Sequence, residues 1–149
     1  MITRYGTDYL LTELCKNTES YVGLSSTKPD VDGGNVTEPS ATSYVRQRLC
    51  NSNGSTTVFG TNTPTENGSK VATKETIYFA ETYNNDTEEV EDWGELNYVC
   101  MFTKQTGGNL IAYQKLPNPI HPGAEGQASV ALIRKGDLSI EIANPVSDE

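Results

Sequence analysis

His121 is the only histidine in a chain of 149 residues, so any Ser/His/Asp or Cys/His constellation would have to be built on it. It lies between Ile120 and Pro122 in a connector that also holds Pro117 and Pro119, a setting for a loop residue rather than a general base. The run Asp86-Thr87-Glu88-Glu89-Val90-Glu91-Asp92 offers hard oxygen ligands of the kind calcium takes. It lacks the D-x-D-x-D-G-x5-E order of a calcium-binding loop and reads as a solvated acidic loop. Lys28-Pro29-Asp30-Val31-Asp32-Gly33-Gly34 likewise reads as a turn. The Gly-Gly pairs at 33–34 and 107–108 are not followed by a helical pattern with Lys-Ser/Thr, so no phosphate cradle is indicated. Among 20 acids no pair stands out for glycoside hydrolysis. Cys15, Cys50 and Cys100 are odd in number and form no CxxC, which argues against a disulfide framework and a zinc site. The sequence therefore assigns no catalytic, cofactor-binding or metal-binding residue, and a non-enzymatic protein is expected.

Binding chemistry is the alternative. Eight tyrosines and Trp93 could form a carbohydrate platform. Tyr21, Tyr44, Tyr78, Tyr98 and Tyr113 all fall within predicted strands, where packing is the default role. Tyr44, Trp93, Tyr98 and Leu138 are the expected core anchors. The net charge of −9, with 11 Lys and Arg against 20 Asp and Glu, is opposite to what a nucleic-acid binder needs. It suits solubility, or a partner with a positive patch. No leader is read at the N-terminus, and no apolar run approaches membrane-spanning length. Four N-x-S/T sequons, at Asn35, Asn53, Asn67 and Asn85, are what chance gives in so polar a chain.

The elements that must position these residues are short. Gly, Thr, Asn and Ser supply over a third of the chain, a mix that favours strands and turns over long helices. Thr7 to Lys16 predicts the one helix, with Thr7 or Asp8 as cap and Leu10, Leu11, Leu14 and Cys15 on its apolar face. Strands are predicted at Ser20–Ser25, Ser43–Cys50, Glu75–Ala80, Leu96–Phe102, Leu110–Lys115, Gln127–Ile133 and Asp137–Ile142. The prolines after Lys115 should stop that ladder. The last two strands should turn on Lys135-Gly136, with Leu138, Ile140 and Ile142 inward. Residues 51–70 read as a long polar loop with a brief strand at 56–59, and residues 81–95 carry seven acids and no base. The expectation is a mainly β fold: a single-domain antiparallel β-sandwich over 20–145, an N-terminal arm with a short helix over 1–19, and an acidic tail over 146–149.

Four segments, in order, resemble a family of small bacteriophage virion proteins of the tail-fibre-like or head-decoration type. They are Tyr21-Val22-Gly23-Leu24-Ser25-Ser26-Thr27-Lys28-Pro29; Thr37-Glu38-Pro39-Ser40 with Tyr44-Val45-Arg46, similar to an EPSGGGYAR element; Asp92-Trp93-Gly94 with Thr106-Gly107-Gly108-Asn109-Leu110-Ile111-Ala112-Tyr113; and Gly136-Asp137-Leu138-Ser139-Ile140, similar to a closing GDLTITL strand. Together they span most of residues 20–142. Ala41-Thr42-Ser43 stands in place of the usual glycines, and residues 51–91 are longer and more acidic than the pattern. The resemblance implies a virion structural protein assembled in the bacterial host cytoplasm and docked on the major capsid protein or on tail proteins. It also implies a homo-oligomer, a trimer suiting local threefold symmetry. Capsid decoration is the first expectation, and a tail fibre contacting host carbohydrate is the alternative. The residues expected to meet a partner are Leu10, Leu11 and Leu14 on the helix, Arg46 and Arg48, and the acids Glu88, Glu89 and Glu91.

Overall fold

A computed structural model describes residues 1–52 and 55–145; the expected acidic tail and the Asn53 sequon lie outside the described residues. The elements in chain order are helix α1 (Arg4–Lys16), then β1 (Ser20–Ser25), β2 (Gln47–Cys50), β3 (Thr63–Pro64), β4 (Gly68–Ala72), β5 (Ile77–Glu81), β6 (Tyr83–Asn84), β7 (Glu89–Val90), β8 (Leu96–Phe102), β9 (Leu110–Ile120), β10 (Val130–Ile133) and β11 (Ser139–Ala143). A 3-10 turn at Ala124–Gly126 precedes β10. The fold is mainly β, with α1 as its α-helix among the described residues. Among the described residues its strands form four sheets, ordered β2-β1-β8-β9, β10-β5, β11-β4-β3 and β6-β7.

The chain forms two compact units. The first comprises Met1–Glu19, Leu49–Ile77 and the segment from Ile133 onward; the second comprises Ser20–Arg48 and Tyr78–Leu132.

In the first unit α1 packs on β4 and β11. Its N-cap is Thr3, whose hydroxyl accepts from the Gly6 N–H at 3.1 Å, so the helix begins one turn before the expected caps. Thr7, Leu11 and Cys15, at i, i+4 and i+8, form the buried face, while Leu10 is 44 % exposed and Leu14 half-buried. The apolar face expected from leucines alone is thus rotated, because Thr7 can go inside: its hydroxyl donates to the Arg4 carbonyl and pairs with Ser69 Oγ of β4 at 3.1 Å. β4 antiparallel to β11 aligns Val71 with Ile140 and Gly68 with Ala143. The expected turn on Lys135-Gly136 therefore does not pair the last two strands with each other. β10 joins β5, and β11 joins β4. Residues 55–70 hold more than a polar loop, carrying β3, the start of β4, and Phe59, which is only 1 % exposed.

In the second unit β1 and β8 match their predicted spans residue for residue, and they pair from Tyr21↔Phe102 to Ser25↔Tyr98. β9 does not stop at Lys115 but runs through Pro117 and Pro119 to Ile120. It is an edge strand, and its register jumps from Tyr98↔Lys115 to Leu96↔Ile120, so the prolines fall where no ladder donor is needed. β5 turns Phe79 inward against Tyr44 and Trp93, with ring centroids 5.3 to 6.4 Å apart. Tyr44 in turn meets β1, whose Leu24 N–H donates to its hydroxyl at 3.0 Å. This packing of β5 towards the main sheet through three aromatic rings is sandwich-like.

Candidate contact surfaces

Two surface grooves and one helix face stand out, and both grooves rest on polar groups that the fold uses internally. The Thr37-Glu38-Pro39 corner and the segment before β2 bring Glu38, Tyr44 and Arg46 together. Arg46 Nε and Nη2 donate to the two Glu38 oxygens at 2.8 Å each. Its Nη1 donates to the carbonyls of Lys104 and Gly107 at 2.8 and 2.7 Å, tying down the β8–β9 loop. The guanidinium lies 3.5 Å from the centroid of the Phe102 ring. The Tyr44 hydroxyl donates to Glu38 Oε1 at 2.6 Å. Gly23 of β1 makes room for this node: a Cβ there would lie 2.6 Å from Tyr44 Oη and 2.8 Å from Glu38 Oε1. Burial pushes the Glu38 carboxyl up, but the hydrogen bonds from Arg46 and Tyr44 and the Arg46 charge outweigh it and hold it below its ordinary value. Burial, aided by the Glu38 carboxylate, raises the Tyr44 phenol. A groove of about 440 Å³ opens beside this node, bounded by Pro39, Val45, Gln105 and Thr106.

The second groove, of about 430 Å³, is lined by Thr42, Ser43, Ala80, Glu81, Tyr83 and the turn from Asn84 to Asp86. The acidic stretch here is a small hairpin, β6 against β7, with Tyr83↔Val90 and Asn84↔Glu89 in register and Glu88 at φ 57° in its turn. Glu91 fastens the hairpin. Its carboxylate accepts from the Thr42 N–H at 3.0 Å, the Thr42 hydroxyl at 3.1 Å, the Ser43 N–H at 2.9 Å and Asn84 Nδ2 at 3.2 Å. Desolvation raises the Glu91 carboxyl, yet these donors from Thr42 and Ser43 bring it below its ordinary value. Asn84 Oδ1 accepts from the Asp86 and Thr87 N–H groups. Trp93 Nε1 donates to Ser43 Oγ at 2.9 Å, linking the groove wall to the aromatic core.

Tyr5 and Tyr9 point outward from α1 at i and i+4, and Ile2 lies just before its cap; they are 79, 54 and 43 % exposed. The outer face of the β5–β10 sheet likewise shows Tyr78, Val130 and Leu132 to solvent.

Of the residues expected to dock a partner, Leu11 is fully buried in the first unit and leaves no surface to offer. Arg46, 8 % exposed, is consumed by the Glu38 node, and Glu91 by the hairpin clamp. Leu10, Arg48, Glu88 and Glu89 are exposed; Arg48 sits by the Tyr21 ring, with its guanidinium 5.8 Å from the centroid. Trp93 and Leu138 are buried, while Tyr44 and Tyr98 are half-buried, the latter edge-on to Tyr113 across β8 and β9. Sequence reading missed Tyr5, Tyr9 and Tyr83, whose only signal was aromatic residues in otherwise polar segments.

His121 Nε2 and Asp92 Oδ1 lie 2.6 Å apart, both well exposed, and Asp92 Oδ1 also accepts from the Gly94 N–H. No nucleophile is hydrogen-bonded to this pair among the described residues, so it staples the connector to the Trp93 segment. The three cysteines are buried, and burial pushes the Cys15 and Cys100 thiols up to about 12. Among the described residues no group of three or more His, Cys, Asp or Glu is placed to hold a metal ion, and no helix is long and apolar enough to cross a membrane.

Residues 8–139 match a protein family described as podophage GP4 fiber I protein gp80. No individual curated protein matches the chain.

Proposed function

This chain belongs to the podophage GP4 fiber I protein family, a family of phage virion structural proteins, and on that footing we propose that it is a fiber subunit that contacts the host-cell surface. The observation that carries this reading is the family match, which covers nearly the whole chain and carries a fiber description. It supports the fiber over capsid decoration, the first expectation from sequence. The grooves of the second unit supply recognition surfaces, and the outward face of α1 supplies an attachment surface. Tyr5 and Tyr9, one turn apart on α1, with Ile2 just before its cap, expose apolar surface that a partner could cover. Self-association, with a trimer as the favoured state, would cover such faces.

Purified chain added to host cells before infection tests the reading. It should bind the cells and compete with phage adsorption, and cryo-EM of labelled particles should place it on a fiber. Density on the capsid surface, or failure to bind cells at any concentration, would refute it. Tyr5→Ser with Tyr9→Ser should abolish incorporation into particles while leaving the fold intact. Deletion of the whole arm is a poorer test, because it removes Leu11 and Cys15 from the core of the first unit.

A further inference from the structure

The groove of about 430 Å³ in the second unit is lined mostly by polar residues and tied together by hydrogen bonds from behind. Glu91 fixes its Thr42–Ser43 wall and its hairpin wall with one carboxylate, and the Asn84 side chain closes the turn at its base. Tyr83 stands at its side, 37 % exposed, presenting a ring with no aromatic partner among the described residues. Glu81, Asn85 and Asp86 are exposed around it. An aromatic face beside carboxylate and amide groups matches a ring that is apolar on its C–H face and hydroxylated at its edge. The groove's size suits one to two such rings.

We propose that this groove binds a neutral saccharide, with Tyr83 stacking on a pyranose face and Asp86, Asn85 and Glu81 taking its hydroxyls. The proposal rests on the host-contact reading and names the chemistry it would use. The charge excludes the acidic sugars. No Lys or Arg lines the groove, and Glu81 and Asp86 line it while Glu88 and Glu89 sit on the same hairpin. A uronic or sialic carboxylate would meet like charge without a counter-ion. A neutral hexose or N-acetylhexosamine meets only acceptors and donors.

The test is binding of the intact chain to an array of neutral hexose and N-acetylhexosamine oligosaccharides beside uronic- and sialic-acid ones. Hits are followed by titration of Trp93 fluorescence, since its indole N–H bonds to Ser43 of the groove wall. Neutral oligosaccharides should bind, and acidic ones should not. Tyr83→Ala should weaken binding about tenfold or more, and Asp86→Ala should do so to a similar degree. Tyr113→Ala, on β9 outside the groove, should change nothing. Preference for acidic glycans, no glycan bound, or full affinity in Tyr83→Ala each overturns the groove assignment. Cell binding by the same proteins separates the two ideas. If wild type and Tyr83→Ala bind host cells equally, host contact stands and the groove fails. If a neutral glycan binds through Tyr83 but no cell is bound, the groove stands and host contact fails.

Discussion

Replacing Arg46 with alanine is the sharpest probe of what holds the second unit together. The side chains of Arg46 and Glu38 are only 9 % and 22 % exposed. That places the pair in the regime where removing one partner costs about 3–5 kcal/mol, rather than the ~0–1 kcal/mol of a surface ion pair. The two carbonyls of the β8–β9 loop lose their donor as well, but that loop is exposed and water can replace part of what is lost. A loss of about 3 kcal/mol is expected. At roughly 2–4 °C per kcal/mol for a chain of this size, the midpoint should fall by about 6–12 °C.

The pH dependence has a definite sign. The Glu38 carboxyl is lowered in the folded chain. Its pairing therefore stabilises the fold above the unfolded-state value of about 4.3 and is lost as pH falls through the lower folded value. The gap between wild type and Arg46→Ala should accordingly be widest at neutral pH and narrow in acid below about pH 4. Urea unfolding from pH 3 to 7, with Glu38→Gln and the double variant completing a cycle, measures both quantities. A cost below about 1 kcal/mol at pH 7, or a cost that does not change with pH, would refute the assignment of this node as a buried, charge-dependent support.

Leu11→Ala should cost about 2–5 kcal/mol and Leu10→Ala less than about 0.5 kcal/mol; equal costs in thermal unfolding would show that the helix face is misassigned. Gly23→Ala should destabilise the second unit, because its methyl would collide with the Tyr44 hydroxyl and Glu38, and a change in near-UV circular dichroism should accompany it. Glu91→Ala should free the β6–β7 hairpin, read as faster amide exchange at residues 83–90; unchanged exchange would mean that the clamp is not what holds it. The native chain should show no thiol reactive towards a disulfide reagent at pH 8, and three after denaturation, since all three cysteines are buried.

What sequence could show was whatever depends on neighbours along the chain. β1 and β8 were legible to the residue, because a compact apolar run bounded by turn formers has few alternatives. The mainly β class and the N-terminal helix came from the same local chemistry. The phage setting came from four short motifs in order. Polar burial was not legible, because it depends on a partner far away in sequence. Thr7 took the inside of α1 because Ser69 lay opposite, and so displaced Leu10 to the surface. Arg46 and Glu91, both expected at a partner surface, were absorbed within the chain by Glu38 and by Thr42 and Ser43. β4 escaped notice because its inward Ser69 is polar, and β9 passed through two prolines because it is an edge strand. His121 pairs with Asp92 of the acidic run. The acids of that run, which local sequence shows only as charge, divide by tertiary contact into a clamp, Glu91, and a groove lining that includes Asp86. Desolvation and hydrogen bonding at each position decide that division, and neither is written in the local order of residues.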